Sequence, residues 1–114
     1  MFNHIIRTRD WHPKDHISFQ SNNPGAGLFE NFYIEKHDIN QIMWPDHCIQ
    51  GSEGAKFHKK LVLKPTDIQI SKGTKTNVEA ISAFGSEQEN TGLYKRLSAL
   101  KIGKVYCVGI AFDS

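Results

Sequence analysis

Residues 5–13 read Ile-Ile-Arg-Thr-Arg-Asp-Trp-His-Pro, and this stretch decides the fold class. It begins with a short β-branched run, which is typical of a strand, and it leads directly into a polar segment that predicts a site loop. Because ligands of open α/β sheets collect at the carboxyl ends of strands, we expect chemistry at Asp10 and His12. Side chains alternate along a strand end, so these two share a face while Trp11 is turned away.

Two further strand regions extend this pattern. Residues 61–63 and 68–70 form the first, and Lys72 lies at its carboxyl end. Residues 105–111 are nearly all apolar, which is typical of a strand buried on both faces. Short apolar runs that alternate with a helical pattern favour an α/β fold with a mainly parallel sheet.

The remaining segments predict one loop and one helix. Residues 18–41 are rich in Asn, Gly and Ser and predict a long loop that covers a site. Residues 91–100 carry apolar side chains at helical spacing from Leu93, and Thr91 is predicted to cap this helix.

Composition narrows the class of protein. The chain has 114 residues, 39% of them hydrophobic, a formal net charge of +2 and two cysteines, which we interpret as free thiols. The length predicts one domain. A cytoplasmic location is expected because no apolar run fits a membrane helix and no secretory signal is present. The expected ligand is a small molecule. The weak, evenly mixed charge argues against a nucleic-acid or membrane partner, and the oligomeric state has no readable signature.

A divalent metal is the chemistry that the polar residues favour. Asp10 and His12, together with His47 in the segment Trp-Pro-Asp-His-Cys at 44–48, offer one carboxylate and two imidazoles. Zinc binds such nitrogen and oxygen donors, and a catalytic site keeps one position open. The competing interpretation is a polar loop with ordinary surface histidines. Cys48 adjoins His47 and is interpreted as a packed thiol.

Several motifs stand in an order that resembles one enzyme family. They are Thr-Arg-Asp-Trp-His-Pro at 8–13, Asp-His-Ile-Ser-Phe at 15–19, Trp-Pro-Asp-His-Cys-Ile-Gln-Gly at 44–51, Gly-Ala-Lys-Phe-His at 54–58, Lys-Gly at 72–73, Ser-Ala-Phe at 82–84 and Val-Gly-Ile-Ala-Phe-Asp at 108–113. This pattern is similar to the nicotinamidases, also called pyrazinamidases, of the isochorismatase-like hydrolases. The resemblance spans almost the whole chain.

The resemblance implies a three-layer α/β/α fold with a mainly parallel sheet, of which residues 1–114 form a partial domain. It also implies metal-dependent hydrolysis of nicotinamide to nicotinate and ammonia in NAD salvage. Asp10, His12 and His47 match the metal ligands of the family, and His16 matches a position that completes the metal shell in some members. The implied metal is zinc, with iron or manganese as alternatives.

Three further positions take roles from the same resemblance. Lys72 matches the catalytic lysine, which favours the thiolate of a nucleophilic cysteine. Trp44 would line the pocket for the pyridine ring of the substrate. The backbone amide of Ala111 would belong to the oxyanion hole.

The chain also departs from the family pattern. The nucleophilic cysteine is expected directly after Ser114, and the catalytic aspartate is expected on a strand that precedes Met1. Ile81 stands where many relatives have Tyr. We therefore expect a fragment that lacks the first strand and helix and the C-terminal part, and that is inactive when isolated. The alternatives are a metal-binding fragment without catalysis and a related small-amide hydrolase.

Overall fold

The computed structural model describes residues 1–110. Its strands are β1 (Ile6–Asp10), β2 (Asn31–Ile34), β3 (Ile39–Ile42) and β4 (Ile68–Lys72), its α-helix is α1 (Leu93–Ala99), and its 3₁₀ helices are Gln20–Asn22, Glu35–His37 and Glu53–Ala55. Within residues 1–110 no helix is long and apolar enough to cross a membrane.

The parallel pairing of β1 with β4 determines where the site lies. Ile6 pairs with Ile68 at one end, and Asp10 pairs with Lys72 at the other. The inward-facing Ile70 is only 3% exposed, so the strand is fixed by burial of its β-branched side chain. The predicted parallel sheet is confirmed, and both strands extend into the site motifs, as far as Asp10 and Lys72, instead of stopping before them.

The strand predicted at residues 61–63 is wrong. These three apolar side chains are 46–79% exposed and pair with no strand of the described chain. A turn follows them, in which the Asp67 amide donates to the Lys64 carbonyl at 3.0 Å and the Asp67 carboxylate accepts from the Lys64 amide at 2.9 Å. This turn directs the chain into β4, which begins at Ile68.

The long loop predicted at residues 18–41 is also partly wrong, because it contains most of a hairpin. Strands β2 and β3 pair antiparallel, with Asn31 opposite Ile42 and Ile34 opposite Ile39. The connection is a short 3₁₀ helix that ends at Asp38 in the left-handed region. Both strands are only four residues long and carry polar side chains, so their alternation is too short to be distinguished from loop sequence.

The helix predicted from Leu93 is confirmed, but its cap is wrong by one residue. Helix α1 has Gly92 at the N-cap with φ of 77°. The Thr91 hydroxyl donates to the Ala83 carbonyl at 2.6 Å and accepts from the Leu93 amide at 3.4 Å. Thr91 therefore ties the helix start to the preceding segment and does not occupy the capping position.

The strand predicted at residues 105–111 is not formed over its described part, 105–110. Val108 is 94% exposed and Ile110 is 106% exposed. A strand buried on both faces needs neighbouring strands, and the strands described in this chain pair only with one another. Ala111 lies outside the described residues.

The buried core lies directly beneath the carboxyl ends of β1 and β4. Its largest fully buried side chains are Phe19, Met43, His16 and Ser18. The backbone of residues 18–20 is bonded on both sides to Trp44, since the Trp44 amide donates to the Ser18 carbonyl at 2.8 Å and the Gln20 amide donates to the Trp44 carbonyl at 2.9 Å. These bonds fix the start of the 44–50 segment, and the bonds of His12 to Cys48 and Gln50 place the rest of it beside the end of β1.

Candidate metal centre

Two strand ends meet at the centre of the site. Asp10 and Lys72 are the last residues of β1 and β4, and the parallel register places them side by side although 62 positions separate them in the sequence. The Lys72 ammonium lies 2.6 Å from the Asp10 Oδ1 atom. The ladder continues for one residue, because the Trp11 amide donates to the Lys72 carbonyl at 3.0 Å.

A second backbone contact brings His47 to the same place. The His12 amide donates to the Cys48 carbonyl at 3.0 Å, and the Gln50 amide donates to the His12 carbonyl at 2.7 Å. Because His47 directly precedes Cys48, this bridge places its ring next to the end of β1. The ring centroids of His12 and His47 are 4.8 Å apart.

One face of the strand end carries the donors, as the alternation of side chains predicts. Asp10, His12 and His47 each offer a ligand atom, and these atoms all lie within 4.8 Å of one another. The Asp10 Oδ2 atom is 3.7 Å from His12 Nε2 and 4.0 Å from His47 Nε2. Trp11 is turned away from this group, with the Arg9 guanidinium 3.7 Å from the centre of its ring.

The hydrogen bonds of the His12 and His47 rings leave one nitrogen of each ring available to a metal ion. The His12 Nδ1 atom lies 2.8 Å from the Gly73 carbonyl oxygen, and the His47 Nδ1 atom lies 2.7 Å from the Pro45 carbonyl oxygen. A carbonyl oxygen only accepts, so each Nδ1 carries a proton and each Nε2 can offer a lone pair. Ligands about 2 Å from a tetrahedral ion lie about 3.3 Å apart, so shortening the donor separations by at most about 1.5 Å would bring all three atoms to such an ion. The residues fit a divalent cation.

Gly73 permits the close approach of His12. It has φ of 60°, and a Cβ atom at this position would lie 2.3 Å from the His12 Cε1 atom. A side chain here would therefore displace the ring from the Gly73 carbonyl. The Lys-Gly motif thus places a lysine at the site and opens the space that the neighbouring histidine occupies.

The structure does not bring His16 into the donor group. Its ring is fully buried, with Nδ1 2.8 Å from the Ser18 hydroxyl and Nε2 3.1 Å from the Val78 carbonyl. The carbonyl requires a proton on Nε2, so in the neutral ring the remaining lone pair on Nδ1 accepts from Ser18. Burial first, and the charge of the neighbouring His12 second, lower the pKa of His16.

Charge at the centre is arranged around Asp10. Burial opposes its ionisation, but hydrogen bonds to His12 and Lys72 and their charges outweigh burial and hold the pKa of Asp10 far below its ordinary range. Burial also opposes protonation of His12, yet the bonds to Asp10 and Gly73 and the charges of Asp10 and Glu79 raise the pKa of His12. A bound cation would take the place of the His12 Nε2 proton.

Cys48 lies beside this charge without being activated by it. Burial and then the negative charge of Asp10 raise the pKa of the Cys48 thiol, and the opposing charge of Lys72 is the smaller effect. Its sulfur is 3.9 Å from the Gly54 carbonyl oxygen. A raised pKa favours the protonated thiol at neutral pH over the nucleophilic thiolate.

Trp44 is the described member of the two positions predicted to bind substrate. It is 41% exposed, and its ring meets the ring of Phe29 edge to face at 5.6 Å. An aromatic surface therefore stands open three residues before His47. The other predicted position, Ala111, lies outside the described residues.

Sequence reasoning missed two side chains that support the centre. Phe19 is fully buried, and its ring centroid lies 5.7, 5.5 and 5.3 Å from those of His12, His16 and His47. Glu89 is 4% exposed, and its carboxylate accepts from the Gly73 and Thr74 amides at 2.7 Å each. Phe19 could have been suspected from its place in the Asp-His-Ile-Ser-Phe motif, whereas Glu89 stands in a polar stretch with no motif.

Comparison with known proteins places this geometry in context. No family model matches the chain. Over 114 residues the chain is 40% identical to a nicotinamidase of Acinetobacter baylyi, covering 98% of this chain and 52% of that protein. The solved structure of an Acinetobacter baumanii nicotinamidase/pyrazinamidase superposes with a TM-score of 0.86 at 41% identity, covering 98% of this chain and 54% of that one.

A third relative was solved with a metal. The pyrazinamidase of Pyrococcus horikoshii in complex with zinc superposes with a TM-score of 0.70 at 34% identity, covering 95% of this chain and 47% of that one. The chain thus spans about half the length of the relatives that it matches. Over nearly its whole length, the chain is a homologue of the nicotinamidases and has part of their isochorismatase-like α/β fold.

Proposed function

We propose that the full-length protein is a nicotinamidase that hydrolyses nicotinamide to nicotinate and ammonia in the salvage of NAD. One observation carries the proposal. In a chain 40% identical to a nicotinamidase, the Lys72 ammonium lies 2.6 Å from Asp10, beside two histidines whose Nε2 atoms face the same carboxylate. We also propose that residues 1–114 form only part of a domain, because the matching segments make up about half of the relatives.

The metal is assigned to Asp10, His12 and His47, with zinc as the preferred ion. Two imidazoles and one carboxylate are a donor set that zinc takes with an open position, and iron and manganese suit the same set. When bound, the ion supplies positive charge that polarises the substrate or a water molecule. His16 is proposed to pack against His12, 4.3 Å between ring centroids, and to keep that ring in place.

Lys72 is assigned as the catalytic residue. Its ammonium is partly buried at the strand end, where it can stabilise negative charge that develops on the substrate and on a nucleophilic thiolate. Cys48 does not suit the role of that nucleophile, because burial and Asp10 raise its pKa. The nucleophile is proposed to follow Ser114 directly, with the amide of Ala111 in the oxyanion hole.

Trp44 is assigned to the substrate. Its exposed indole, held by Phe29, offers a flat apolar surface for a pyridine ring near the metal residues. The partner of this protein is therefore a small molecule, and a nucleic-acid or membrane partner is not proposed. The proposed location is the cytoplasm.

Ammonia release from nicotinamide by the zinc-loaded full-length protein tests the proposal. We expect Lys72→Ala to lower kcat by about 100- to 1,000-fold, the cost of losing one group that stabilises developing charge. Zinc content should stay at that of the wild type. Lys95→Ala, which removes an exposed lysine of helix α1, is the matched control and should keep full activity. A full-length protein that binds zinc and releases no ammonia would contradict the proposal.

A second candidate function is binding of metal without catalysis by the 114-residue chain itself. The raised pKa of Cys48 favours it, because a protonated thiol leaves the described part of the chain without an activated cysteine at the site. The isolated chain should bind zinc and release no ammonia. Turnover by this chain would eliminate the candidate. A related small-amide hydrolase would instead prefer pyrazinamide or another amide over nicotinamide in the same assay.

A further inference from the structure

Glu89 is a buried carboxylate outside the metal centre. It is 4% exposed, and it accepts hydrogen bonds from the Gly73 amide and the Thr74 amide at 2.7 Å each. It also accepts from the Thr74 hydroxyl. Two consecutive backbone amides and a hydroxyl therefore surround both oxygens of one carboxylate, an arrangement in which hydrogen bonds are strong.

A tight turn holds Glu89 in this position. The Ser86 amide donates to the Glu89 carbonyl at 2.8 Å, the Glu89 amide donates back to the Ser86 carbonyl at 3.3 Å, and Gly85 pairs with Asn90 across the turn. The Lys75 ammonium adds a bond to the Gln88 carbonyl at 2.8 Å. The carboxylate is thus presented to residues 73–74 by a fixed loop.

Gly73 connects this carboxylate to the metal centre. Its amide donates to Glu89, and its carbonyl oxygen lies 2.8 Å from His12 Nδ1. The Gly73 carbonyl shares a planar peptide unit with the Thr74 amide, which also donates to Glu89 at 2.7 Å. The two bonds to Glu89 therefore hold the peptide units on both sides of the Gly73 Cα atom and give its carbonyl one orientation. That carbonyl determines which nitrogen of His12 carries the proton.

We propose that Glu89 is a positioning residue of the metal centre, which orients Gly73 so that the His12 Nε2 lone pair faces Asp10 and the metal. The chain of contacts runs from the carboxylate through one residue to the ring, with both hydrogen bonds under 3 Å. The proposal rests on the metal role of His12 in the proposed function. Groups that orient a metal-binding histidine typically contribute 10- to 100-fold to metal affinity.

Zinc affinity of the metal-stripped full-length protein, measured by competition with a chromogenic chelator, tests the proposal. Glu89→Ala should weaken zinc binding by about 10- to 100-fold. Glu89→Gln keeps the shape and one acceptor oxygen, so its affinity should fall between those of the wild type and Glu89→Ala. Glu87→Gln, which neutralises an exposed glutamate of the same turn, is the matched control and should bind zinc as the wild type does.

A second measurement separates positioning from a loss of structure. In ¹⁵N-labelled zinc-loaded protein, the His12 Nδ1 proton should be observed in the wild type and in Glu87→Gln, and should exchange too fast to observe in Glu89→Ala. If Glu89→Ala does not fold, the zinc affinity and the His12 Nδ1 proton are measured in Glu89→Gln instead. Unchanged zinc affinity together with an unchanged Nδ1 proton in either folded variant would overturn the proposal. Neither readout depends on turnover, so failure of nicotinamide hydrolysis is a separate result.

Discussion

The segment around the proposed metal centre and the segment at residues 105–110 are buried in the opposite order to the one that their hydrophobicity predicts. The first is polar, yet His12, His16 and Ser18 are at most 3% exposed, and each is hydrogen-bonded to a backbone group from a distant position, at Gly73, Val78 and Trp44 respectively. The second is the most apolar run of the chain, yet Val108 is 94% exposed. Burial follows from the neighbours that a segment finds, not from its own hydrophobicity.

The difference has a physical origin. Near the centre, β4 and the 44–50 segment supply donors and acceptors for the backbone that leaves β1, so polar groups are satisfied when they are buried. Residues 105–110 pair with no strand of the described chain. An apolar strand gains stability only when its amides and carbonyls are paired as well.

The largest difference between the two segments is expected when one side chain of each is replaced by alanine. In the 114-residue chain we expect Phe19→Ala to lower the free energy of unfolding by about 3–5 kcal/mol, because a fully buried ring that touches three histidines leaves a cavity. Val108→Ala, in the exposed run, should change it by less than about 0.5 kcal/mol. Urea unfolding measures both. Equal effects would show that the two segments are buried alike.

Removal of one proposed ligand should produce the next largest effect. In the full-length protein His47→Ala should weaken zinc binding by at least about 100-fold, since losing a ligand costs more than losing a group that orients one. His37→Ala removes a histidine of the 3₁₀ helix before β3 and should leave the affinity unchanged. Competition with a zinc chelator gives both values. Equal zinc affinity in the two variants would refute the ligand assignment.

Two glycines extend the comparison to the backbone. Gly73→Ala should destabilise the 114-residue chain by about 1–3 kcal/mol, because its positive φ and the His12 ring both exclude a Cβ atom. Gly103 has open space around it, so Gly103→Ala should leave stability unchanged or raise it by up to about 1 kcal/mol. Thermal unfolding followed by circular dichroism distinguishes them. A Gly73→Ala chain as stable as Gly103→Ala would mean that the His12 ring can move without cost.

The sequence was sufficient for the parts of the site that depend on local spacing. Asp10 and His12 follow a β-branched run at alternating positions, and that is enough to predict one face at a strand end. His47 converges with them in the structure, while the role of all three as ligands stays a prediction. The order of apolar segments likewise predicted the parallel sheet, and the match with nicotinamidase structures confirms the α/β class.

Features that depend on tertiary contacts were beyond the sequence. The sequence does not predict the β2–β3 hairpin, because its two four-residue strands are polar in part. The apolar content of residues 105–110 predicts a buried strand but does not reveal whether a partner strand is present. His16 matches a family ligand position, and its role as a ligand stays a prediction; the contact of its Nε2 atom with the Val78 carbonyl, 62 residues away, could not be predicted from spacing. Glu89 lies in a polar stretch, and only the fold brings it to Gly73.

The smallest effect is expected in the pH dependence of the free energy of unfolding, which measures the contribution of the Glu89 charge. Burial opposes its charge, but the bonds from Thr74 and Gly73 and the charge of Lys75 hold the pKa of Glu89 below its ordinary value. Its contribution is therefore complete above the unfolded pKa of about 4.3 and is lost as the pH falls through the lower folded value. In the full-length protein, urea unfolding should show Glu89→Gln less stable than wild type at pH 6, with a gap that narrows below pH of about 4. The titration of Asp10 contributes equally to the wild type and to Glu89→Gln, so it cancels from the difference in their free energies of unfolding. For the control Glu87→Gln, the free energy of unfolding should depend on pH as it does in the wild type. A gap that stays constant from pH 6 to 3 would show that the Glu89 charge does not stabilise the loop that carries Gly73.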